Sequence, residues 1–256
     1  MNEHRVAIVT GSATGVGAAT ARLLASRGWR VVVNYTRSEA EARETEAACR
    51  AAGAETLLVR GDVAEDADCR RIASAALEAW GRIDGLVNNA GTTRFAAHGD
   101  LDALRAEDFQ RVYAVNVVGA YQMIRACAPA MKRQGKGAVV NVSSIAGVTG
   151  MGSSVAYAAS KAALNSVTVT LARALGPELR INAVCPGFIE GRWLREGLGE
   201  KVYEALKERY CSNAPLQRTA RPEDVAESIA WLLEAAPLVT GELLLLDAGM
   251  HVAVPR

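Results

Sequence analysis

Apolar residues along the chain fall in short, β-branched runs separated by longer alanine-rich stretches of helical spacing, and this alternation holds from Arg5 to Leu246. The runs predict strands at Val6 to Val9, Val31 to Asn34, Thr56 to Val59, Gly85 to Asn88, Ala138 to Val142, Arg180 to Val184 and Leu243 to Leu246. Helices are predicted at Gly15 to Arg27, Glu39 to Ala52, Ala67 to Trp80, Ala106 to Arg133, Ser154 to Leu175 and Pro222 to Glu234. Strands and helices in strict alternation imply an α/β fold of Rossmann type, a doubly wound parallel seven-stranded sheet flanked by helices on both faces. No linker, repeat or low-complexity tract interrupts it, so residues 1–256 are expected to form a single domain.

Two segments break the rhythm. Gly91 to Leu104 and Pro186 to Arg221 are long connections that leave the ends of predicted strands, where open parallel sheets bind their ligands. Both should border a site, the second as a substrate lid around 186–221.

Composition narrows the partner class. Half of the 256 residues are hydrophobic and 22% are charged, which excludes disordered and fibrous chains. Lys and Arg total 29 against 28 Asp and Glu, so no net field draws in nucleic acid or an anionic membrane, and small molecules are the expected partners. Five cysteines without a C-x-x-C pair suggest neither a disulfide framework nor zinc. No His, Cys or acidic residues cluster at ligand spacing, so no metal is expected. The chain has no signal-peptide core and no apolar run of about 18 residues, and a cytoplasmic location is expected.

The candidate chemistry begins at the first strand-to-helix turn, Thr10-Gly11-Ser12-Ala13-Thr14-Gly15-Val16-Gly17. Glycines there let a pyrophosphate approach free backbone N–H groups at a helix N-terminus. At the end of the second strand, Arg37 and Ser38 stand where an NAD-specific site would place an acid; they suit the 2′-phosphate of NADP instead. Ser38 also begins an S-x-x-E pattern with Glu41, so a helix-capping box is the alternative reading. Tyr157 and Lys161 lie four residues apart on one predicted helical face, where a nearby ammonium would favour phenolate and lower the tyrosine pKa.

Thr10-Gly11-x-x-x-Gly15-x-Gly17, Asn88-Asn89-Ala90-Gly91, Asn116, Ser144, Tyr157-x-x-x-Lys161 and Pro186-Gly187 occur in the order and approximate spacing of the short-chain dehydrogenase/reductase family. The resemblance covers nearly the whole chain and is greatest to the 3-oxoacyl-(acyl-carrier-protein) reductase branch. It implies that Tyr157 protonates the substrate oxygen, that Lys161 lowers its pKa and binds the nicotinamide ribose, and that Ser144 rather than Ser143 holds the carbonyl. Asn116 would interrupt its long helix and hold a water that relays protons to Lys161. Gly11, Ser12, Thr14, Gly15, Val16, Gly17, Arg37, Ser38, Asp62, Val63, Asn89, Ala90, Gly91, Pro186, Gly187 and Ile189 would line the cofactor, with Asp62 and Val63 at the adenine. For Asn89 a local backbone-bonding role is equally compatible, for Asp62 a plain turn residue is the alternative, and for Asn116 a solvent-facing helical position.

The chain departs from the family at Gly191, where a carboxamide-holding Thr is usual, and at Asp247-Ala248-Gly249, where Asp-Gly-Gly is usual. Substrate specificity is expected from Phe95 and His98 in one loop and Trp193, Leu194, Leu198, Tyr203 and Tyr210 in the other. Lys201 to Tyr210 has helical spacing and could instead pack as a short helix. Arg192, Arg195, Lys201, Lys207 and Arg209 would make the lid basic, a feature suited to an acidic carrier, though ordinary solvated side chains are the commoner explanation. His4 and His251, near the termini, are expected to be solvated.

The resemblance implies an NADP-dependent reductase of a carbonyl, or dehydrogenase of the alcohol, acting on 3-oxoacyl thioesters or similar substrates, and a homotetramer built through the two long helices. NAD is the alternative cofactor, with a sugar, polyol or small hydroxy compound as substrate. A non-catalytic dinucleotide-binding regulator is the alternative of another class, but such a protein would be expected to lose Tyr157, Lys161 or Ser144.

Overall fold

The computed structural model describes residues 4–253. In chain order the elements are β1 (Val6–Val9), α1 (Gly15–Ser26), β2 (Arg30–Tyr35), α2 (Glu39–Ala51), β3 (Thr56–Arg60), α3 (Asp66–Trp80), β4 (Gly85–Asn88), α4 (Ala106–Tyr113), a π-helical turn (Ala114–Gly119), α5 (Ala120–Arg133), β5 (Gly137–Val142), α6 (Ala146–Thr149), α7 (Val155–Leu175), β6 (Leu179–Pro186), α8 (Arg192–Leu198), α9 (Glu200–Asn213), α10 (Pro222–Glu234) and β7 (Leu243–Leu246). The strands form one parallel sheet in the order β3-β2-β1-β4-β5-β6-β7.

The apolar strand runs follow from burial on both faces. In β1, Ala7 and Val9 join Leu24, Val225 and Ile229 on the side of α1, α2 and α10. Val6 and Ile8 point the other way, to Ile72, Met123 and Ile124 of α3 and α5. The strand order reverses between β1 and β4, both bonded to their outer neighbours, which opens a crevice beyond their carboxyl ends.

Three expectations are resolved here. The helix predicted over Ala106 to Arg133 is interrupted by the π-helical turn around Asn116, as the resemblance implied and the apolar periodicity alone did not. The long connection after β6 contains α8 and α9, so Lys201 to Tyr210 is helix. Ser38 is the N-cap of α2 but its side chain makes no capping bond, and Glu41 pairs with Arg192 of α8 at 2.8 Å instead, so there is no capping box.

Candidate active site

The glycine-rich turn is held from below by side chains that sequence reasoning left without a role. Thr10, buried at the end of β1, accepts the N–H groups of Asn89 and Ala90 on its hydroxyl, each at 3.0 Å. Asn34, interrupting the apolar run of β2, accepts the Gly11 N–H at 3.1 Å and donates to the carbonyls of Val59 and Gly61. An amide inside a fully buried strand needs such partners, and that was the available signal.

Gly11 and Gly15 adopt φ of +60° and +58°, where glycine is favoured. A Cβ at Gly17 would collide with the Asn89 amide and, at 2.6 Å, with the Gly11 carbonyl. Around Gly15, by contrast, there is open space. Thr14 and Gly15 are exposed and Val16 is buried at the start of α1, whose first N–H groups have no intrahelical partner. The turn is thus rigid beneath and open above, the shape a pyrophosphate requires.

Several predicted cofactor contacts turn inward. Ser12 is fully buried, its hydroxyl bonded to Val9 and its N–H to Asn34, which leaves no donor for a phosphate. The Asn89 amide is used on the carbonyls of Thr10 and Gly11, both at 2.9 Å, so of its two readings the local one describes the side chain. Asp62 bonds its own turn through Ala64 and pairs with Arg111 at 3.3 Å. Val63 is buried beneath Gly119 and gives its carbonyl to Gln122. Pro186 is buried, and Gly187 is required by Tyr210 and Asp247, whose atoms a Cβ would strike. Ile189 packs partly against the core and bridges to Ala220. Ala90 backs Gly11 closely, while Arg37 and Ser38 sit at the rim, Arg37 exposed and Ser38 half-buried. At Gly191, φ of +148° is a conformation a β-branched threonine would resist, so the loop takes its own path there.

On the other side of the crevice, α7 carries Tyr157 and Lys161, and Ser154 caps it by accepting the Tyr157 N–H at 3.2 Å. Both side chains are buried. The Lys161 Nζ donates to the Val142 carbonyl at 2.8 Å and lies 5.6 Å from the centre of the Tyr157 ring. Burial pushes the Tyr157 phenol up to about 12, with the Ser144 hydrogen bond opposing it, and lowers Lys161 to about 8. Burial, rather than the nearby ammonium, is the largest influence on the phenol in this structure.

Ser144 is half-buried at the end of β5 and faces Tyr157, whereas Ser143 is buried with its hydroxyl on the Lys161 carbonyl. Of the two serines, Ser144 is the one whose hydroxyl faces the phenol. Asn116, at 1% exposure, accepts the Thr92 N–H and donates to Thr92 and Ser160. Thr92 and Ser160 are further residues without a sequence signal. Gly91 separates the two groups: a Cβ there would lie 3.5 Å from the Asn116 oxygen and 3.8 Å from Lys161 Nζ.

Beside Tyr157 opens a cavity of about 540 Å³ lined by Phe95 to His98, Met151 to Ser153, Gly197 and Leu198. Its two loops are tied by Thr93 to Ser153 at 2.7 Å and His98 to the Gly152 carbonyl at 3.0 Å. Trp193 reaches Tyr157 directly, ring centroids 5.8 Å apart. Phe95, His98, Leu198 and Trp193 thus border the site as expected. Tyr203 and Tyr210 do not: Tyr203 is fully buried, and Tyr210 bonds the Asp247 carbonyl at 2.7 Å. Of the five basic lid residues, Arg192, Arg195 and Lys207 are paired with Glu41, Glu200 and Glu190, while Lys201 and Arg209 are exposed. His251 is bonded to the buried Asp247 at 2.9 Å rather than simply solvated.

A parallel sheet with this crevice, a glycine turn and a Tyr–Lys pair define a nicotinamide-dependent oxidoreductase. The family profile described as enoyl-(acyl carrier protein) reductase matches residues 11–251, and the chain belongs to the short-chain dehydrogenase/reductase family. It is 44% identical over 250 residues to a Streptomyces violaceoruber protein provisionally named ketoacyl reductase 2 of the granaticin polyketide synthase, covering 98% of this chain and 97% of that one. It is 35% identical to a 3-oxoacyl-[acyl-carrier-protein] reductase of Synechocystis, covering 96% of each. The crystal structure of levodione reductase superposes with a TM-score of 0.91 at 30% identity, covering 98% of both chains. No helix among the described residues is long and apolar enough to cross a membrane.

Proposed function

We propose that this oxidoreductase is an NADP(H)-dependent ketone reductase whose substrate is an apolar 3-oxoacyl thioester or a similar carbonyl compound. The observation that carries the reading is Tyr157, buried and held protonated by desolvation, beside a cavity with Phe95, Met151 and Leu198 in its wall. An acid with a pKa pushed up to about 12 keeps its proton until charge develops on a substrate oxygen. Ser144 holds that oxygen, and Lys161 completes the positive side of the site.

The residues fit a dinucleotide. Gly15, Val16 and Gly17 would present their N–H groups to the pyrophosphate, and Arg37 and Ser38 would take the 2′-phosphate. The bound nicotinamide supplies or accepts the hydride. Asn116 has its side chain committed to Thr92 and Ser160, so a water relay to Lys161 would use its main chain.

Phe95, Met151 and Leu198 give the cavity an apolar wall suited to an acyl chain, beside polar groups at His98 and Ser153. Relatives named as ketoacyl and 3-oxoacyl reductases support the thioester class. Val118 of the π-helical turn, Tyr121 on α5, and Val155 and Val169 on α7 are 37–46% exposed, an apolar surface that supports a homotetramer through these helices. Purified protein is assayed with 3-oxoacyl thioesters beside simple ketones and sugars, with NADPH and with NADH. Turnover confined to sugars with NADH would overturn the reading, as would full activity in Tyr157→Phe.

A further inference from the structure

Beyond the carboxyl ends of β2 and β3 lies a second cavity, of about 510 Å³, lined by Thr36, Arg37, Arg60, Gly61, Asp62, Asp68 and Arg71. Three arginines and two aspartates share its wall. Each aspartate is already engaged. Asp68 accepts the Asp62 N–H at 2.8 Å and pairs with Arg71 at 2.6 Å, while Asp62 pairs with Arg111.

Arg60 is the last residue of β3 and sits in register with Tyr35, two positions before Arg37. Adjacent parallel strands run about 4.8 Å apart, so the two arginines leave neighbouring strand ends on the same rim. Both are exposed, and among the described residues neither makes an ion pair. Arg60 lies in the field of Glu39 and Asp68 and helps to hold both below the usual carboxylate range, yet Glu39 is bonded to Arg43 and Asp68 to Arg71. Two unpaired guanidinium groups on one cavity match a dianion better than a neutral hydroxyl pair.

We infer that Arg60 is the second arm of a clamp for the 2′-phosphate of NADP(H), facing Arg37 across this cavity. The inference rests on the NADP(H) reading above. Arg71, its fork held by Asp68, backs the clamp without closing on the phosphate.

Calorimetric titration of the full chain with adenosine 2′,5′-bisphosphate and with 5′-AMP tests this without turnover. The native protein should bind the bisphosphate about tenfold more tightly, and Arg60→Ala and Arg37→Ala should each remove most of that preference, leaving 5′-AMP within about twofold. Added salt should weaken the bisphosphate selectively. If Arg37→Ala weakens the bisphosphate and Arg60→Ala does not, the clamp is wrong and the NADP(H) reading stands. If Arg60→Ala weakens both probes equally, Arg60 serves the adenosine and the clamp is again wrong. If the native protein shows no preference between the probes, the cofactor reading itself falls. Thermal melting of the variants, expected to match native, guards against misfolding.

Discussion

The indole of Trp193 meets the phenol ring of Tyr157 at 69°, with centroids 5.8 Å apart, so a half-exposed residue of the lid shields the buried acid of the site. The pair makes the lid part of the chemistry, because the burial that raises Tyr157 depends on what covers it.

Replacing Trp193 with alanine should therefore do two things. Lost packing should raise KM for apolar ketones about tenfold. Water reaching Tyr157 should bring its pKa down from about 12 toward the ordinary tyrosine value. Phenolate, the form that takes the proton from the alcohol, should then be available at lower pH. A pH profile of alcohol oxidation checks this: its rising limb should move to lower pH in Trp193→Ala, and an unmoved limb would show that the lid does not control the acid.

Lys161 is a site of conflict between stability and function. Its pKa is lowered by burial from 10.5 to about 8, so the unfolded chain binds more protons than the folded one between those values. The cost of burying the charge is complete below about pH 8 and disappears as pH rises toward 10.5. At pH 7 it amounts to roughly 3 kcal/mol. Lys161→Met should abolish turnover yet raise the melting temperature at pH 7, with the gain shrinking in alkaline buffer. A variant that melts lower than native at pH 7 would show that the Val142 carbonyl bond outweighs desolvation.

Arg192 of α8 reaches Glu41 of α2 at 2.8 Å, tying the lid to the helix that follows the proposed phosphate rim. Such an exposed, salt-screened pair contributes little to folding. Its effect should be kinetic. Arg192→Ala and Glu41→Ala should each speed NADPH release severalfold in stopped-flow fluorescence, with a double variant no faster than either. Native protein at high salt should approach the same rate. Additive effects in the double variant would mean the two residues act separately.

The sheet, its helices and the crevice were legible because buried strands and amphipathic helices write their periods directly into the chain. Ser144, Tyr157 and Lys161 were legible as a family pattern, and the structure brings them together. What sequence could not show is which polar groups are used internally. Ser12, Asn89 and Asp62 each have internal partners that the sequence does not reveal, while Thr10 and Asn34 look ordinary though they hold the turn. The same holds in the lid: Arg192, Arg195 and Lys207 look basic along the chain but have carboxylates from distant or neighbouring turns.

Ala248, the departure from the family's closing Asp-Gly-Gly, carries a measurable strain. Its φ is +55°, in the left-handed region, where a Cβ costs roughly 1 kcal/mol. The turn is imposed from both sides: the Asp247 carboxylate accepts the Gly249 and His251 N–H groups, and the Ala248 carbonyl accepts the Leu216 N–H at 3.1 Å. Ala248→Gly removes the clash and adds freedom to the unfolded chain, two effects of similar size and opposite sign. Relief should win by a few tenths to about 1 kcal/mol, because a residue incompatible with its φ loses more than the entropy returns. Melting should rise by about 1 to 4 °C. Ala248→Val, with a stiffer side chain at the same φ, should melt below native. KM should stay unchanged in the glycine variant, since Tyr210 of α9 still bonds the Asp247 carbonyl. A glycine variant that melts lower would show that the neighbouring contacts compensate the strain at Ala248.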